Sequence, residues 1–152
     1  MLNAISVSKK LAQLSEEDNI RDLSPLKLQK ILYFVEGCLL SSESRAITMY
    51  PETPQAWKYG PVYVDVYERF KDKIYGASII SSDFDDSLEI SFDNFVEECI
   101  KKTWDKYKNK SAGELITLTH RTNPWIIAVK YGYGSRISKQ DMLEYFTVHN
   151  DE

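Results

Sequence analysis

Leu28, Ile31, Leu32, Val35 and Leu39 recur three and four residues apart, the spacing that lines one face of an α-helix. Ser24 stands ahead of this run as a capping residue, and Pro25 suits a first helical turn, where no N–H is needed. Leu23 is placed to staple onto Leu28 across the cap. The pattern predicts a core helix running to about Ser41. Upstream, Ile5, Val7, Leu11, Ala12 and Leu14 predict a first helix over Asn3 to Glu16. Downstream, Phe92, Phe95, Val96, Cys99, Ile100, Trp104 and Tyr107 mark another by the same spacing. Ser111-Ala112-Gly113-Glu114 is a capping-box sequence, in which the serine oxygen meets a free backbone N–H and the glutamate reaches back to the cap, so a helix to about His120 follows. Asn123-Pro124 restarts the chain as a short helix. Ser138 to Asp141, with Ile137 ahead and Met142 behind, repeats the capping logic for a last helix ending near Val148.

Between the second helix and Phe92 the signals change. Three prolines in AITMYPETPQAWKYGPV exclude a long helix, and Ala46 to Tyr50 and Gln55 to Tyr59 read as short extended pieces. Pro61 is predicted to open a third helix with Val62, Val66, Tyr67 and Phe70 on one face. Ser87 to Phe92 alternates Leu88, Ile90 and Phe92 with polar residues, the period of a half-buried strand, and Ala77 to Ser81 is its expected partner across the SDFDD turn. The sum is a mainly helical α+β fold, a compact single domain over 1–152 of about six or seven helices with a small β-hairpin element.

Composition adds limits. The chain has 152 residues, enough for one core, with 43% hydrophobic and 28% charged residues, ordinary for a soluble globular protein. Its net charge of −4 gives no global attraction to nucleic acid or to an anionic membrane. The start, MLNAISVSKKLAQLSEE, lacks the order of a signal peptide, and no stretch reaches the roughly 18 uninterrupted apolar residues of a membrane span. A cytoplasmic location is expected. Cys38 and Cys99 lie inside apolar helical patterns without a CxxC or Cys/His cluster, and read as inert, buried free thiols with no electropositive surroundings.

The candidate chemistry is thin. His120 in THRTNPW is the chain's one internal imidazole, and no nucleophile and orienting group are visible for it, so no catalytic residue is assigned. Near a helix C-terminus, His120 reads instead as a brace bonding leftover carbonyls, with Trp125 plugging the joint after Pro124. Asp83, Asp85, Ser87 and Glu89 have the alternation of a calcium loop, but the sixth and twelfth positions hold Leu88 and Asn94 where glycine and glutamate are required. No metal site and no cofactor are therefore assigned. KKTWDKYKNK interleaves five lysines with Trp104 and Tyr107, the mixture of a single-strand binder, although those aromatics fall on the apolar face of the preceding helix. YGYG at Tyr131 to Gly134 lacks the strand and helix of a phosphate loop and reads as a loop. Ten tyrosines exceed what a small core requires, and tyrosine is a favoured interface anchor; Tyr59, Tyr63, Tyr67, Tyr131 and Tyr133 are the candidate partner contacts.

Three stretches, LSPLKLQKILYFVEG (Leu23 to Gly37), QAWKYGPVYVDVYERF (Gln55 to Phe70) and GELITLTHRTNPW (Gly113 to Trp125), in this order and spacing, resemble the Panacea domain of SocA-like antitoxins, a family that also includes phage-associated proteins. The resemblance covers nearly the whole chain, from the first helix to the ISKQDMLEYF ending. It implies a helical domain without a known active site that neutralises a cognate toxin by direct binding. It also implies that a SocA-like member acts as an adaptor, delivering the toxin to an ATP-dependent AAA+ protease such as ClpXP. The family motif falls on Leu28, Gln29, Lys30, Tyr33, Trp57, Tyr59, Gly60, Pro61, Val62, Thr119, His120, Pro124 and Trp125, most of them structural by their position in the pattern. The alternative is a phage-associated nucleic-acid-binding or regulatory protein using the Lys101 to Lys110 patch.

Overall fold

The structure is a computed structural model describing residues 2–41 and 52–149. Among these residues the chain forms seven α-helices and a three-stranded antiparallel sheet, a mainly helical α+β fold. Helix α1, Ala4–Glu17, lies where the first apolar run predicts a helix, and Asn3 is its cap, accepting from the Ser6 N–H. Helix α2, Pro25–Leu40, is capped by the Ser24 hydroxyl. Of its 16 residues 13 are buried, because its apolar positions continue around the cylinder. It is packed by α1, by α4 (Asn94–Tyr107), α5 (Ala112–His120) and α7 (Lys139–His149), and by the sheet. The Ser111/Glu114 capping box opens α5 as its sequence requires, and the Ser138 hydroxyl accepts from the Asp141 N–H at the start of α7. No helix among the described residues is long and apolar enough to cross a membrane.

Gly37 marks the tightest of these contacts. A Cβ there would stand 2.6 Å from the ring of Phe146 on α7, and that ring is held edge-on by Tyr33, Phe34 and Tyr145. Gly37→Ala gains about 1 kcal/mol of helix propensity but forces a rigid ring aside, at about 1–3 kcal/mol. A net loss of up to about 2 kcal/mol is expected, seen as a lower urea midpoint with unchanged slope.

The sheet differs from its expected place. Strand β1, Gln55–Trp57, pairs with β2, Gly60–Val62, across the two-residue Lys58–Tyr59 turn, and with β3, Ser135–Arg136, on its other edge. Pro61 therefore sits in an edge strand rather than opening a helix, and Val62 belongs to that strand. Gly60 has φ +112°, which an L side chain rarely adopts, and this sets the hairpin in place of a helical turn. Helix α3, Val64–Phe70, begins only after Tyr63. The expected pairing of Ala77 to Ser81 with Ser87 to Phe92 does not form. The Ile79 N–H donates to the Leu23 carbonyl at 2.7 Å, the Lys9 ammonium takes the carbonyls of Asp85 and Leu88, and Ser81–Asp83 makes a 3₁₀ turn. Leu88, Ile90 and Phe92 are half-buried as their alternation suggests, but their backbone has no ladder partner among the described residues. Phe92 precedes α4, which Asp93 caps. The extended piece expected at Ala46 to Tyr50 lies outside the described residues. Helix α6, Asn123–Val129, follows α5 after a sharp corner.

Candidate functional site

Polar side chains on the buried helix α2 each need a partner, because an unsatisfied polar group inside the fold costs about 1–3 kcal/mol. Gln29 finds its partner in Tyr63: its Oε1 accepts from the Tyr63 N–H at 2.8 Å and its Nε2 donates to the Tyr63 carbonyl at 3.1 Å. This fixes the chain where β2 turns into α3. The Lys30 ammonium nitrogen donates to the Pro61 carbonyl at 2.9 Å. The Thr122 hydroxyl donates to the Thr119 carbonyl, leaving its oxygen to accept from the Tyr33 hydroxyl at 2.7 Å. Glu36 accepts from the Tyr63 hydroxyl at 2.6 Å and also pairs with Lys139 of α7.

The third motif closes the same joint. The indole N–H of Trp125 donates to the Trp57 carbonyl at 3.0 Å, and His120 stacks on Trp125 with ring centroids 4.1 Å apart. The imidazole is hydrogen-bonded to the backbone of Lys58, and its Nε2 is buried without a partner among the described residues. Gly60 makes room for this closure: a Cβ there would stand 2.8 Å from the Thr119 hydroxyl oxygen and 3.0 Å from Lys30 Cε. Burial lowers the pKa of His120 against the opposing effect of that backbone bond, with the Lys30 charge assisting burial. His120 thus braces the hairpin turn against the α5–α6 corner as a ring favoured in its neutral form. The expected charge interaction with its own helix end is not its main contact.

Burial also pushes the Lys30 amine down to about 7 from 10.5. Between those values the unfolded chain holds a proton at this position that the folded chain has released. Stability therefore rises with pH across this window, by at most about 1.4 kcal/mol per pH unit. Below it both states are protonated and the cost of the buried charge is felt in full. Urea denaturation of the wild type against Lys30→Met across about pH 6 to 10 should show the stability gap moving in favour of the wild type as pH rises. Parallel curves would mean that Lys30 stays charged in the fold.

Above this joint lies an apolar groove of about 670 Å³, walled by the start of α2, the β1–β2 hairpin, α3 and the loop at Ile74 to Gly76. Trp57 and Tyr67 meet edge to face at 4.7 Å on one side, and Lys30 and Gln29 reach it from beneath. Tyr59 (58% exposed), Tyr67 (39%), Ile74 (81%) and Tyr75 (97%) stand at its margin. Sequence reasoning missed Ile74 and Tyr75. Their signal is an apolar pair between charged KDK and a glycine, outside any periodic run.

The candidate tyrosines separate. Tyr59 and Tyr67 border the groove, whereas Tyr131 and Tyr133 are exposed on the α6–β3 loop and do not line it. Tyr63 is a correction: it is fully buried, with its hydroxyl on Glu36, so it presents nothing to a partner. In the Lys101 to Lys110 stretch Trp104 and Tyr107 are buried, Trp104 donates to Asp18, and Lys101 and Lys108 are ion-paired, so no aromatic platform for bases is available there. Among the described residues no group of three or more His, Cys, Asp and Glu is placed to hold a metal ion.

The three motifs thus meet in one buried joint under an exposed apolar groove. The family model of the antitoxin SocA-like, Panacea domain matches residues 28–126, from the first turn of α2 into α6, and therefore spans every motif in the joint. The chain belongs to this family. It is similar to Antitoxin SocA of Caulobacter vibrioides (strain NA1000 / CB15N), with 30% identity over 137 residues, 82% of this chain and 72% of that protein. No solved structure matches it.

Proposed function

We propose that this protein is an antitoxin that neutralises its cognate toxin by direct binding, with the apolar groove as the contact surface. The observation that carries the reading is the exposure of Tyr59, Tyr67, Ile74 and Tyr75 around one groove whose walls are anchored from below by Gln29, Lys30 and Trp125. Large aromatic and apolar side chains on a rigid frame make effective anchors, because little side-chain freedom remains to be lost on binding. Lys58 lies at the groove over the Tyr59 ring and makes no ion pair among the described residues, so the fitting partner segment is apolar with an acidic residue beside it.

The test is growth of cells induced for the adjacent open reading frame, with and without this chain, followed by co-purification of the two products. Relief of toxicity together with a stable complex is expected. Toxicity unrelieved, with no complex, would overturn the reading. Repeating the assay in cells lacking ClpXP separates inhibition by binding, which persists there, from delivery to an ATP-dependent protease, which does not.

A further inference from the structure

Cys38 of α2 and Cys99 of α4 are 61 positions apart, yet their sulfurs lie 3.0 Å from each other, within hydrogen-bond reach. Both are free thiols. Cys99 is buried, while Cys38 is half-buried and opens onto a cleft of about 40 Å³ whose walls include Lys102, Thr103, Lys106 and His149. The helical repeat of α4 places Lys102 and Lys106 on the turns that follow Cys99, so the surroundings are electropositive, contrary to what the apolar pattern around each cysteine suggests. The hydrogen bond shared with Cys99 chiefly, then Lys102, Thr103 and Lys106, hold Cys38 down to about 7 against the opposing effect of burial. The same bond, together with burial, raises Cys99. The two thiols are thus differentiated, one as a thiolate with an opening to solvent and the other as a protonated neighbour behind it.

We propose that Cys38 and Cys99 form a peroxide-reactive dithiol that closes reversibly to a disulfide between α2 and α4. The Cys38 thiolate attacks one oxygen of hydrogen peroxide; the O–O bond breaks, and the departing hydroxide takes up the proton that the Cys38 thiol had released, leaving as water. Cys38 is now a sulfenic acid. The Cys99 sulfur then attacks the Cys38 sulfur, the S–O bond breaks, and a second water leaves with the Cys99 proton. Two thiols and one peroxide become one disulfide and two waters, the two electrons passing from sulfur to the peroxide oxygens. A sulfur–sulfur bond is about 2.05 Å long, so the side chains need to close only about 1 Å more. A thiol reductant reverses the bond by exchange.

The whole chain is treated with hydrogen peroxide, denatured, alkylated and weighed intact. The expected product has lost two hydrogens and takes no alkyl group until it is reduced with dithiothreitol, after which it takes two. Cys99→Ser is expected to stop at a Cys38 sulfenic acid, trapped by a dimedone-type reagent, and Cys38→Ser to react about tenfold more slowly or less. A wild-type chain that keeps both thiols open to alkylation, gains oxygen without closing, or cross-links only between chains overturns the proposal. That reading needs no variant to fold.

Discussion

Alanine at both Tyr59 and Tyr75 is expected to weaken toxin binding by about a hundredfold to a thousandfold, while alanine at both Tyr131 and Tyr133 leaves it within about threefold. An aromatic anchor at the centre of an interface loses about 2 kcal/mol or more on truncation, and two such losses add when the side chains do not share a partner contact. Tyr59 and Tyr75 are 58% and 97% exposed in the free chain, so their removal disturbs little of its own packing. The thermal midpoint should hardly move. Calorimetric titration of the toxin into each double variant reads the result. Loss of affinity in the Tyr131/Tyr133 variant instead would place the contact on the α6–β3 loop and away from the groove.

Lys139→Met is expected to cost about 3 kcal/mol of stability, the lower part of the range for breaking a buried ion pair from one side. Glu36 is fully buried on α2 and accepts from the Tyr63 hydroxyl, while Lys139 reaches it from α7 with about a quarter of its side chain exposed. Methionine keeps the stem and removes the charge, so a carboxylate is left inside the fold with less to offset its desolvation. The partial exposure of Lys139 lets water approach and moderates the loss. Urea denaturation gives the number, and Glu36→Gln in the Lys139→Met background should recover part of it. A loss below about 0.5 kcal/mol would mean that the pair behaves as a surface ion pair.

Local chemistry made the helices legible. Ser24 with Pro25, Ser111 with Glu114, and the three-and-four runs need nothing beyond their own segment, and α2 and α5 stand where those signals put them. The hairpin was less legible, because Pro61 has a backbone angle that serves a helix start and an edge strand alike. What decides between them is Gly60 at positive φ and the pairing with β1. The inward position of Tyr63 is set by Gln29 and Glu36 of α2, distant in the chain. The alternation at Ser87 to Phe92 correctly signalled half-burial, but alternation reports side chains and not the partner of the backbone. Gln29, Lys30 and Glu36 are visible as polar residues within an apolar helix, whereas their partners Tyr63, Pro61 and Lys139 lie 34, 31 and 103 positions away. Resemblance to a family picked out the motif residues without saying what each one holds. Strand β3 is two residues long and leaves no pattern to read.

The enclosure of α2 has a consequence for how such a protein changes over generations. A helix packed on nearly every side, with its polar groups already assigned to other segments, tolerates few replacements. The hairpin tip at Lys58–Tyr59 and the loop positions Ile74 and Tyr75 are exposed. Replacements can therefore accumulate at a few loop positions while the frame beneath is inherited unaltered. Freedom to vary and persistence of fold are assigned by this architecture to different parts of the same short chain.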